Sequence, residues 1–379
     1  RMMADAIANI LLGKDHIEDH NHTYGSWVTT TYPGCENGTQ QRVCSVCTAA
    51  ERREAAGTGH TYSNGICTGC GAEEPKPEGP VLDETLSFYT KALVLDSYIG
   101  AQFIVNPYAT GYDKVYLEVV VGEDTYIYDE TVMPGYYVFT HGVAPKNMGV
   151  EMQVTIRAEK DGVEYTGNTE IWSVKGGIMD MLAKYYDKRN DTAKDAARCR
   201  LLVDMLYYGA AAQERFNTAG NGLVTDGLDE KYVALKTPPE ATITEVNTTA
   251  PKTADEMYQY SLGLEDAVNL QFIFQLSVAD TSRYTVKVTY GDEVYEYGSK
   301  DFTDMGLAGF AIVVFDKLGA KAMRDEVKVQ LYKDGAPVSA EYTASIAGTA
   351  STMLTGKNAA LIKTMMVYGD SAYSYLNIK

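Results

Sequence analysis

The sequence predicts an α+β protein in which a small cysteine- and histidine-rich head precedes two tandem β-sandwich modules, each ending in packed α-helices. Three observations lead to this prediction. Five of the six cysteines lie before residue 71. Beyond residue 84, a long segment of the chain recurs in the same order. Each copy of that segment has short apolar strands first and amphipathic helices last.

Composition narrows the range of partners before any motif is considered. The 379 residues carry 33 Lys and Arg against 51 Asp and Glu, which gives a net charge of −18. Nucleic acids and anionic membranes bind surfaces rich in Lys and Arg, so we expect neither as a partner. No apolar stretch of the sequence is long enough to be a transmembrane helix.

The chain begins with a short segment that is predicted to be helical. Within residues 1–14, Met3, Ile7, Ile10 and Leu11 recur at helical spacing. Apolar residues at this spacing lie on one face of a helix, so we expect an N-terminal helix here.

The head, residues 20–73, contains two Cys-x2-Cys pairs. The spacing of Cys44 and Cys47, followed by that of Cys67 and Cys70, is typical of a zinc ribbon, in which two such turns close one tetrahedral site. We therefore expect these four cysteines to bind one structural zinc ion. So short and glycine-rich a segment needs a metal or a covalent cross-link to fold.

Two alternatives to this ligand set remain open. His22 and Cys35 would form a Cys3His site with Cys44 and Cys47, which leaves His60 with the second Cys-x2-Cys pair and one ligand short. Disulfides are the other alternative, although the head has five cysteines and one of them would stay unpaired. In each case the role is structural, because catalytic zinc requires an open position and a general base.

The head is also internally repeated, and its sequence resembles a known class of repeat. His22-Thr23-Tyr24 returns as His60-Thr61-Tyr62, ahead of each Cys-x2-Cys pair. Residues 20–74 resemble small Cys/His repeats found in large exported proteins of Gram-positive anaerobic bacteria. The resemblance implies a spacer-like module in a secreted or cell-surface protein, and it implies no catalysis.

Beyond the proline-rich linker at residues 73–80, the chain contains a tandem duplication. The matched segments are Gln102–Ile104 with Gln271–Ile273, Lys160–Gly162 with Lys333–Gly335, and Tyr208-Gly209 with Tyr368-Gly369. Agreement in this order indicates two copies of one module, at residues 84–230 and 258–379, which a linker at residues 231–257 joins.

Each copy is predicted to consist mainly of short strands. The predicted strands are 115–121, 125–128, 150–157 and 164–171 in the first copy and 284–290, 293–297, 310–315 and 326–332 in the second. The Lys-Asp-Gly segment of each copy is predicted to be a hairpin turn. Strands at this spacing favour an immunoglobulin-like β-sandwich.

Amphipathic helices follow the strands. Apolar stripes run from residue 178 to 185, from 199 to 216 and from 360 to 375. Gly209 and Gly369 lie inside the predicted helices, where glycine costs about 1 kcal/mol relative to alanine. A close approach of each helix to the sheet would explain both glycines.

The two copies resemble a second module of the same exported proteins. The matching segments are LDSYIGAQFIV, GYYVFTHGVAPKNMGVEMQVTI and LLVDMLYYGAAAQERF. The likeness extends over residues 86–230 and more loosely over residues 259–379. It implies an extracellular setting and supplies no activity.

Residues suited to catalysis are scarce. Beyond the head the only histidine is His141, whose counterpart in the second copy is expected at Phe310 or Ala311, so no base is repeated. Cys199 lies on an apolar helical stripe and is predicted to be a buried core residue rather than a reactive thiolate. We find no P-loop, GxSxG or HExxH motif. We therefore expect a non-catalytic protein.

The remaining candidate ligand-binding residues are tyrosines. Tyr126 and Tyr128 lie two apart on one predicted strand, and Tyr295 and Tyr297 lie two apart on its counterpart. Each pair therefore projects from one face of its strand. Such pairs are suited to stacking on sugar rings, and packing of the strand faces is the alternative interpretation.

Together these observations predict a segment of a secreted or surface-attached modular bacterial protein that mediates extracellular binding or adhesion. The expected partner is an extracellular glycan or protein. One alternative is a purely structural stalk or filament subunit, in which the tyrosines serve self-association. The other is an accessory region of a secreted carbohydrate-active or other hydrolase.

Overall fold

The chain divides into two compact units, Arg1–Glu78 and Gly79–Lys379. The computed structural model describes residues 21–47, 49–75, 79–95, 98–106, 111–129, 136–187, 192–220, 222–239, 254–304, 306 and 309–378. The helix predicted for residues 1–14 and much of the linker predicted for residues 231–257 lie outside the described residues.

The first unit, the head, consists of short antiparallel strands. Its strands are β1 (Val28–Thr31), β2 (Gly38–Val43), β3 (Ala50–Ala55), β4 (Tyr62–Ser63) and β5 (Ile66–Cys67). The first three form one sheet, and the last two form a hairpin. Asn64 and Gly65 form the turn of that hairpin, and both have positive φ, as a two-residue hairpin turn requires.

The second unit contains both copies of the duplication, which we call the first module (residues 79–239) and the second module (residues 254–378). The strands of the first module are β6 (Val81–Leu82), β7 (Phe88–Val94), β8 (Gly100–Val105), β9 (Lys114–Val121), β10 (Asp124–Tyr128), β11 (Val138–Gly142), β12 (Met152–Lys160), β13 (Val163–Thr166) and β14 (Glu170–Trp172). Its helices are α1 (Val174–Leu182), α2 (Ala193–Phe216) and α3 (Glu230–Val233).

The second module repeats this order of elements. Its strands are β15 (Glu256–Gly263), β16 (Asn269–Gln275), β17 (Tyr284–Tyr290), β18 (Glu293–Gly298), β19 (Phe310–Phe315), β20 (Val327–Lys333), β21 (Ala336–Pro337) and β22 (Tyr342–Ala344). Its helices are α4 (Ile346–Ser351) and α5 (Ala359–Asn377). In both modules the long helix therefore follows the strands.

The sheet topology is the same in the two modules, except that the first module has the additional edge strand β6. One sheet has the strand order β10-β9-β12-β13-β6 in the first module and β18-β17-β20-β21 in the second, with β14 and β22 paired to β12 and β20. The other sheet is β11-β8-β7 in the first module and β19-β16-β15 in the second. The two sheets of each module pack against each other through aromatic rings. Phe103 and Trp172 meet at 5.7 Å, and Tyr295 and Phe315 meet at 5.4 Å. The prediction of β-sandwich modules with a few helices is confirmed.

Local turn chemistry explains why the predicted hairpins form. Asp161 and Gly162 have φ of 51° and 72°, and Asp334 and Gly335 have φ of 51° and 81°. Two consecutive residues with positive φ match the twist of an antiparallel pair, and Asp-Gly adopts this turn readily. One predicted strand, 164–171, is divided into β13 and β14, and the intervening Gly167 lies against the backbone of Leu86.

The helical glycines permit a close approach, although the partner is not the sheet as the sequence suggested. A Cβ at Gly209 would lie 2.7 Å from Met148 Sδ, next to the 3₁₀ turn Pro145–Asn147. A Cβ at Gly369 would lie 2.6 Å from Met323 Sδ, next to the 3₁₀ turn Ala320–Ala322. Each long helix therefore rests on the turn that precedes the central strand β12 or β20.

The helices α2 and α5 join the two modules and run antiparallel. Tyr208 stacks on Tyr368 at 5.5 Å, and Ser371 Oγ donates to the buried carboxylate of Asp204 at 2.6 Å. Arg198 Nε donates to Tyr375 OH at 3.1 Å. Cys199 of α2 is buried, and burial raises the pKa of its thiol, so its predicted role as a core residue is confirmed. None of the described helices has the length and apolar character that a membrane span needs.

Candidate functional site

The cysteines and histidines of the head form two groups rather than one. The first Cys/His group is His22, Cys44 and Cys47, and the second Cys/His group is Cys35, His60, Cys67 and Cys70. Within each group the candidate ligand atoms all lie within 4.8 Å of one another. These distances suit ligands around a single metal ion. All six cysteines of the chain are free thiols.

The structure divides the four cysteines that the spacing assigned to one site. Cys44 and Cys47 lie with His22, whereas Cys67 and Cys70 lie with His60. Cys35 comes from the loop between β1 and β2, and its Sγ lies 3.5 Å from that of Cys67. It therefore completes the second group and not the first. The Cys3His alternative had placed Cys35 with the first turn and left the second turn one ligand short, whereas the structure shows the opposite.

The two Cys-x2-Cys turns have the same backbone hydrogen bonds. The Cys44 N–H donates to Ala49 O at 2.8 Å, and the Cys67 N–H donates to Ala72 O at 2.7 Å. Ser45 donates to the carbonyl of Thr23 through both its N–H and its hydroxyl, and Thr68 does the same to Thr61. The internal repeat in the sequence is thus a repeat of one turn geometry.

The histidine of each repeat meets the second cysteine of its own turn. His22 Nδ1 lies 3.2 Å from Cys47 Sγ, and His60 Nδ1 lies 3.4 Å from Cys70 Sγ. Each ring also packs beside the tyrosine two residues later, at 5.6 Å in the first repeat and 5.7 Å in the second. Each histidine is therefore oriented toward its cysteine pair by a similar contact.

One residue explains why Cys35 joins the second group. A Cβ at Gly69 would lie 2.8 Å from Cys35 Sγ, so the missing side chain makes room for this thiol. The corresponding residue of the first turn is Val46, between Cys44 and Cys47. Because the two turns share their geometry, we infer that the Val46 side chain would block the corresponding approach of a thiol to the first turn.

The thiols of the second group differ in acidity. Backbone N–H donation, chiefly from Gly69, lowers the pKa of Cys67 to about 5. The hydrogen bond with Cys67 is the main cause that raises the pKa of Cys35 to about 12. The turn itself therefore favours the thiolate form of Cys67, which is the form that ligates a metal.

Thiols also take the place of a hydrophobic core in the head. Among its described residues, the buried apolar side chains are those of Cys44 and Cys67, which are 4% and 2% exposed. Burial of two small side chains contributes little of the hydrophobic free energy that folding requires. The arrangement is therefore that of a domain held together by its ligand groups.

A second candidate site lies in the other unit, between its two modules. It is a cavity of about 570 Å³, which is within the size range of small-molecule sites. The first module contributes an aromatic wall of Tyr98, Tyr126, Tyr128 and His141. No Lys or Arg is among the described residues that line it. The wall therefore favours a neutral or cationic ligand with apolar faces.

His141 is the centre of the aromatic wall. It is 6% exposed, and its Nδ1 lies 2.6 Å from Tyr128 OH. The rings of Tyr126 and Tyr128 lie 5.0 and 5.8 Å from its ring. Burial lowers the pKa of His141, so the imidazole is neutral at pH 7. Its second ring nitrogen has no hydrogen-bond partner among the described residues and is available to a ligand.

The second module supplies the opposite side of the cavity. Asp316, which directly follows β19, lines it with an exposed carboxylate that forms an ion pair with Lys317 at 2.8 Å. Tyr208 and Tyr368, stacked across the helix interface, form the floor of the cavity. The Tyr208 hydroxyl is buried and has no partner among the described residues. A ligand hydroxyl reaching this depth would satisfy it.

The other predicted tyrosine pair has a different environment. Tyr295 packs edge-on against Phe315 and donates a hydrogen bond to Glu293, and Tyr297 is half-buried against the core. Neither lines the cavity. The structure thus brings Tyr126 and Tyr128 to a candidate site and leaves Tyr295 and Tyr297 as packing residues.

Strand register also corrects the counterpart of His141. His141 pairs with Ala101 of β8, and Phe315 pairs with Leu270 at the equivalent position of β16. The counterpart is therefore Phe315 rather than Phe310 or Ala311. The loop that precedes β19 is longer than the one that precedes β11, which shifts the alignment.

Fold and site together define a class of protein: a head with clustered metal-ligating groups, joined to a tandem sandwich-and-helix unit with an aromatic cavity. No protein-family model matches the chain, and no curated protein matches it. One similar solved structure is the crystal structure of chicken CNTN1 FN1-FN3 domains, at 6% sequence identity and a TM-score of 0.19. The match covers 86% of this chain and 99% of that chain. A similarity this low carries no argument about fold or function.

Proposed function

We propose that this chain is a non-catalytic segment of a secreted or surface-attached modular bacterial protein that binds an extracellular glycan in the cavity between its two modules. The observation that carries the proposal is the aromatic wall around His141, which opens on a cavity of about 570 Å³. Sugars combine apolar ring faces with many hydroxyl groups. Tyrosine rings can stack on the apolar ring faces, and tyrosine hydroxyl groups can form hydrogen bonds with the sugar hydroxyl groups.

The polar groups of the cavity support this choice of ligand class. The neutral His141 imidazole, the Tyr208 hydroxyl and the Asp316 carboxylate all border it. Each is suited to a hydrogen bond with a ligand hydroxyl, and none needs a charged ligand. The absence of Lys and Arg from its described lining argues against acidic polysaccharides.

The proposal is tested by applying the full chain to an array of neutral, amino and acidic oligosaccharides. We expect binding to neutral or amino sugars. Tyr126→Ala and His141→Phe should each weaken it about tenfold or more, since each removes a contact worth about 1.4 kcal/mol. Tyr373→Ala, an exposed tyrosine of α5 outside the cavity, is the matched control. Binding that survives both cavity variants, or no binding to any sugar, would contradict the proposal.

We propose further that the second Cys/His group binds a structural zinc ion. Three thiolates and one imidazole are a common tetrahedral zinc set. The head also buries few apolar side chains, so metal binding would supply the free energy that stabilises its fold.

Hydrogen–deuterium exchange tests the zinc proposal on the full chain. Chelation is expected to remove the protection of amides in β4 and β5, while amides in β9 and β12 of the second unit keep theirs. Equal protection of β4 and β5 with and without chelator would contradict a structural role for the metal.

The helix interface supports a second candidate function, a rigid stalk. The pairs Asp204–Ser371, Tyr208–Tyr368 and Arg198–Tyr375 all join α2 to α5. Lys146 of the first module also forms an ion pair with Glu265 of the second at 2.7 Å. Such an interface would hold the two modules in one orientation. The stalk proposal requires no ligand, so the oligosaccharide array distinguishes the two functions.

A further inference from the structure

We propose that the first Cys/His group binds a metal ion of its own, so that the head carries two structural zinc ions. This inference rests on the zinc proposal for the second group and extends it to a second site. The ligands named are Cys44 Sγ, Cys47 Sγ and a ring nitrogen of His22, which lie within 4.8 Å of one another.

The main argument is that the two sites are built by the same turn. Both turns are closed by backbone hydrogen bonds of nearly equal length. The donors are the N–H groups of Cys44 and Ser45 in the first turn and of Cys67 and Thr68 in the second. The first cysteine is buried and the second more accessible in both turns. If this geometry presents two thiolates to an ion in one repeat, it presents them equally in the other.

The histidine position strengthens the argument. His22 and His60 differ in their sequence separation from the first cysteine of their turns, because the first repeat contains the extra strands β1 and β2. Nevertheless, His22 and His60 reach the same place beside the second cysteine, at 3.2 and 3.4 Å. Two chain paths of different length that end in one ligand geometry are explained by a common ligand.

The donor set also indicates the kind of ion. Two thiolates and an imidazole favour zinc over calcium or magnesium, which prefer oxygen ligands. The group has three members among the described residues, and the proposal names only these three. Cys35 belongs to the second group, where it links the β1–β2 loop to the second turn. The first ion would fix the first repeat, and the second ion would clasp the two repeats together.

Native mass spectrometry of the full chain tests the number of ions. We expect two zinc ions per chain in the unaltered protein, one in Cys47→Ser and one in Cys70→Ser. Cys199→Ser, which removes a buried thiol of α2, is expected to retain both. A single ion that Cys70→Ser abolishes and Cys47→Ser leaves would overturn this inference and uphold the zinc proposal. No ion in any variant would overturn both.

A second measurement uses only the unaltered chain, so its result does not depend on whether a variant folds. Alkylation of the unaltered chain is mapped by peptide mass spectrometry with zinc and with a chelator. We expect zinc to protect Cys47 as well as Cys70. If zinc protects Cys70 while Cys47 reacts equally in both conditions, the first group does not bind zinc. A Cys44–Cys47 disulfide in the freshly purified chain would overturn the proposal as well.

Discussion

The two modules share the order of their equivalent strands, their hairpin turns and their helical glycines, yet they differ at one buried aromatic position. In the first module the position is His141, which is hydrogen-bonded to Tyr128 and borders a cavity. In the second it is Phe315, which is fully buried and packs against Tyr295. Imidazole and benzyl side chains have similar shapes, so the exchange changes the chemistry of the position with little change in its packing.

This difference indicates how the duplication divides its roles. The features that both modules keep are those that stabilise the framework, such as the glycine beneath each long helix. The features that differ lie around the cavity, where the first module offers polar aromatic groups and the second offers Asp316 and the helix floor. A ligand site in this cavity therefore needs both modules, because neither module alone supplies all of its lining.

The largest expected effect comes from truncating the two counterparts. Phe315→Ala should lower the free energy of unfolding by about 3–5 kcal/mol, because a fully buried ring leaves a cavity. His141→Ala should cost about 1–3 kcal/mol, mainly because Tyr128 loses its hydrogen-bond partner at the edge of an existing cavity. Urea denaturation of both variants, with Val294→Ala at an exposed position as control, measures the difference. Equal losses would show that the two positions are equivalent core sites.

Alanine at the two helical glycines tests what the modules share. Gly209→Ala and Gly369→Ala should each cost about 1–3 kcal/mol, because the added Cβ meets a methionine sulfur and a backbone carbonyl. The better helix propensity of alanine, about 1 kcal/mol, offsets part of this loss. Thermal denaturation should give similar losses for the two variants, whereas Gly220→Ala, where a Cβ has open space, should change little. Clearly unequal losses would mean that the two helix contacts differ.

Local patterns in the sequence predicted much of the framework. The Lys-Asp-Gly turns and the strands β17 and β19 have the expected bounds, because their signals lie within a few neighbouring residues. The strands β7, β8 and β11 were not predicted. The alternation of β8 is interrupted by Gly100 and Ala101, both buried, so its period is weak.

The candidate sites could be predicted only in part. Sequence identified every member of the two Cys/His groups but not their division, since Cys35 joins the second group through a long-range contact. The contrast between Gly69 and Val46 was the signal that could have separated the groups. Tyr126 and Tyr128 were expected as a pair, whereas Tyr98, Tyr208 and Asp316 were missed. They reach the cavity through packing between sheets and between modules, which strand periodicity does not encode.

The smallest expected effect is a pH dependence that belongs to the first module alone. Burial lowers the pKa of His141 below its ordinary value of 6.5, so the unfolded chain binds a proton here more readily than the folded chain. This group therefore leaves stability unaffected well above pH 6.5. It lowers the free energy of unfolding as the pH falls below 6.5 toward the folded pKa.

His141→Phe, which copies the second module, should remove this pH dependence. The stability of the unaltered chain relative to the variant should decline between pH 7.5 and pH 5, as urea denaturation at each pH would measure. Tyr126→Phe keeps the histidine and is the matched control, so its stability should follow that of the unaltered chain. A constant difference between the chain and His141→Phe across this range would mean that His141 titrates alike in both states. In that case the burial of a neutral imidazole would not distinguish the first module from the second, and the difference between them would lie in ligand contacts alone.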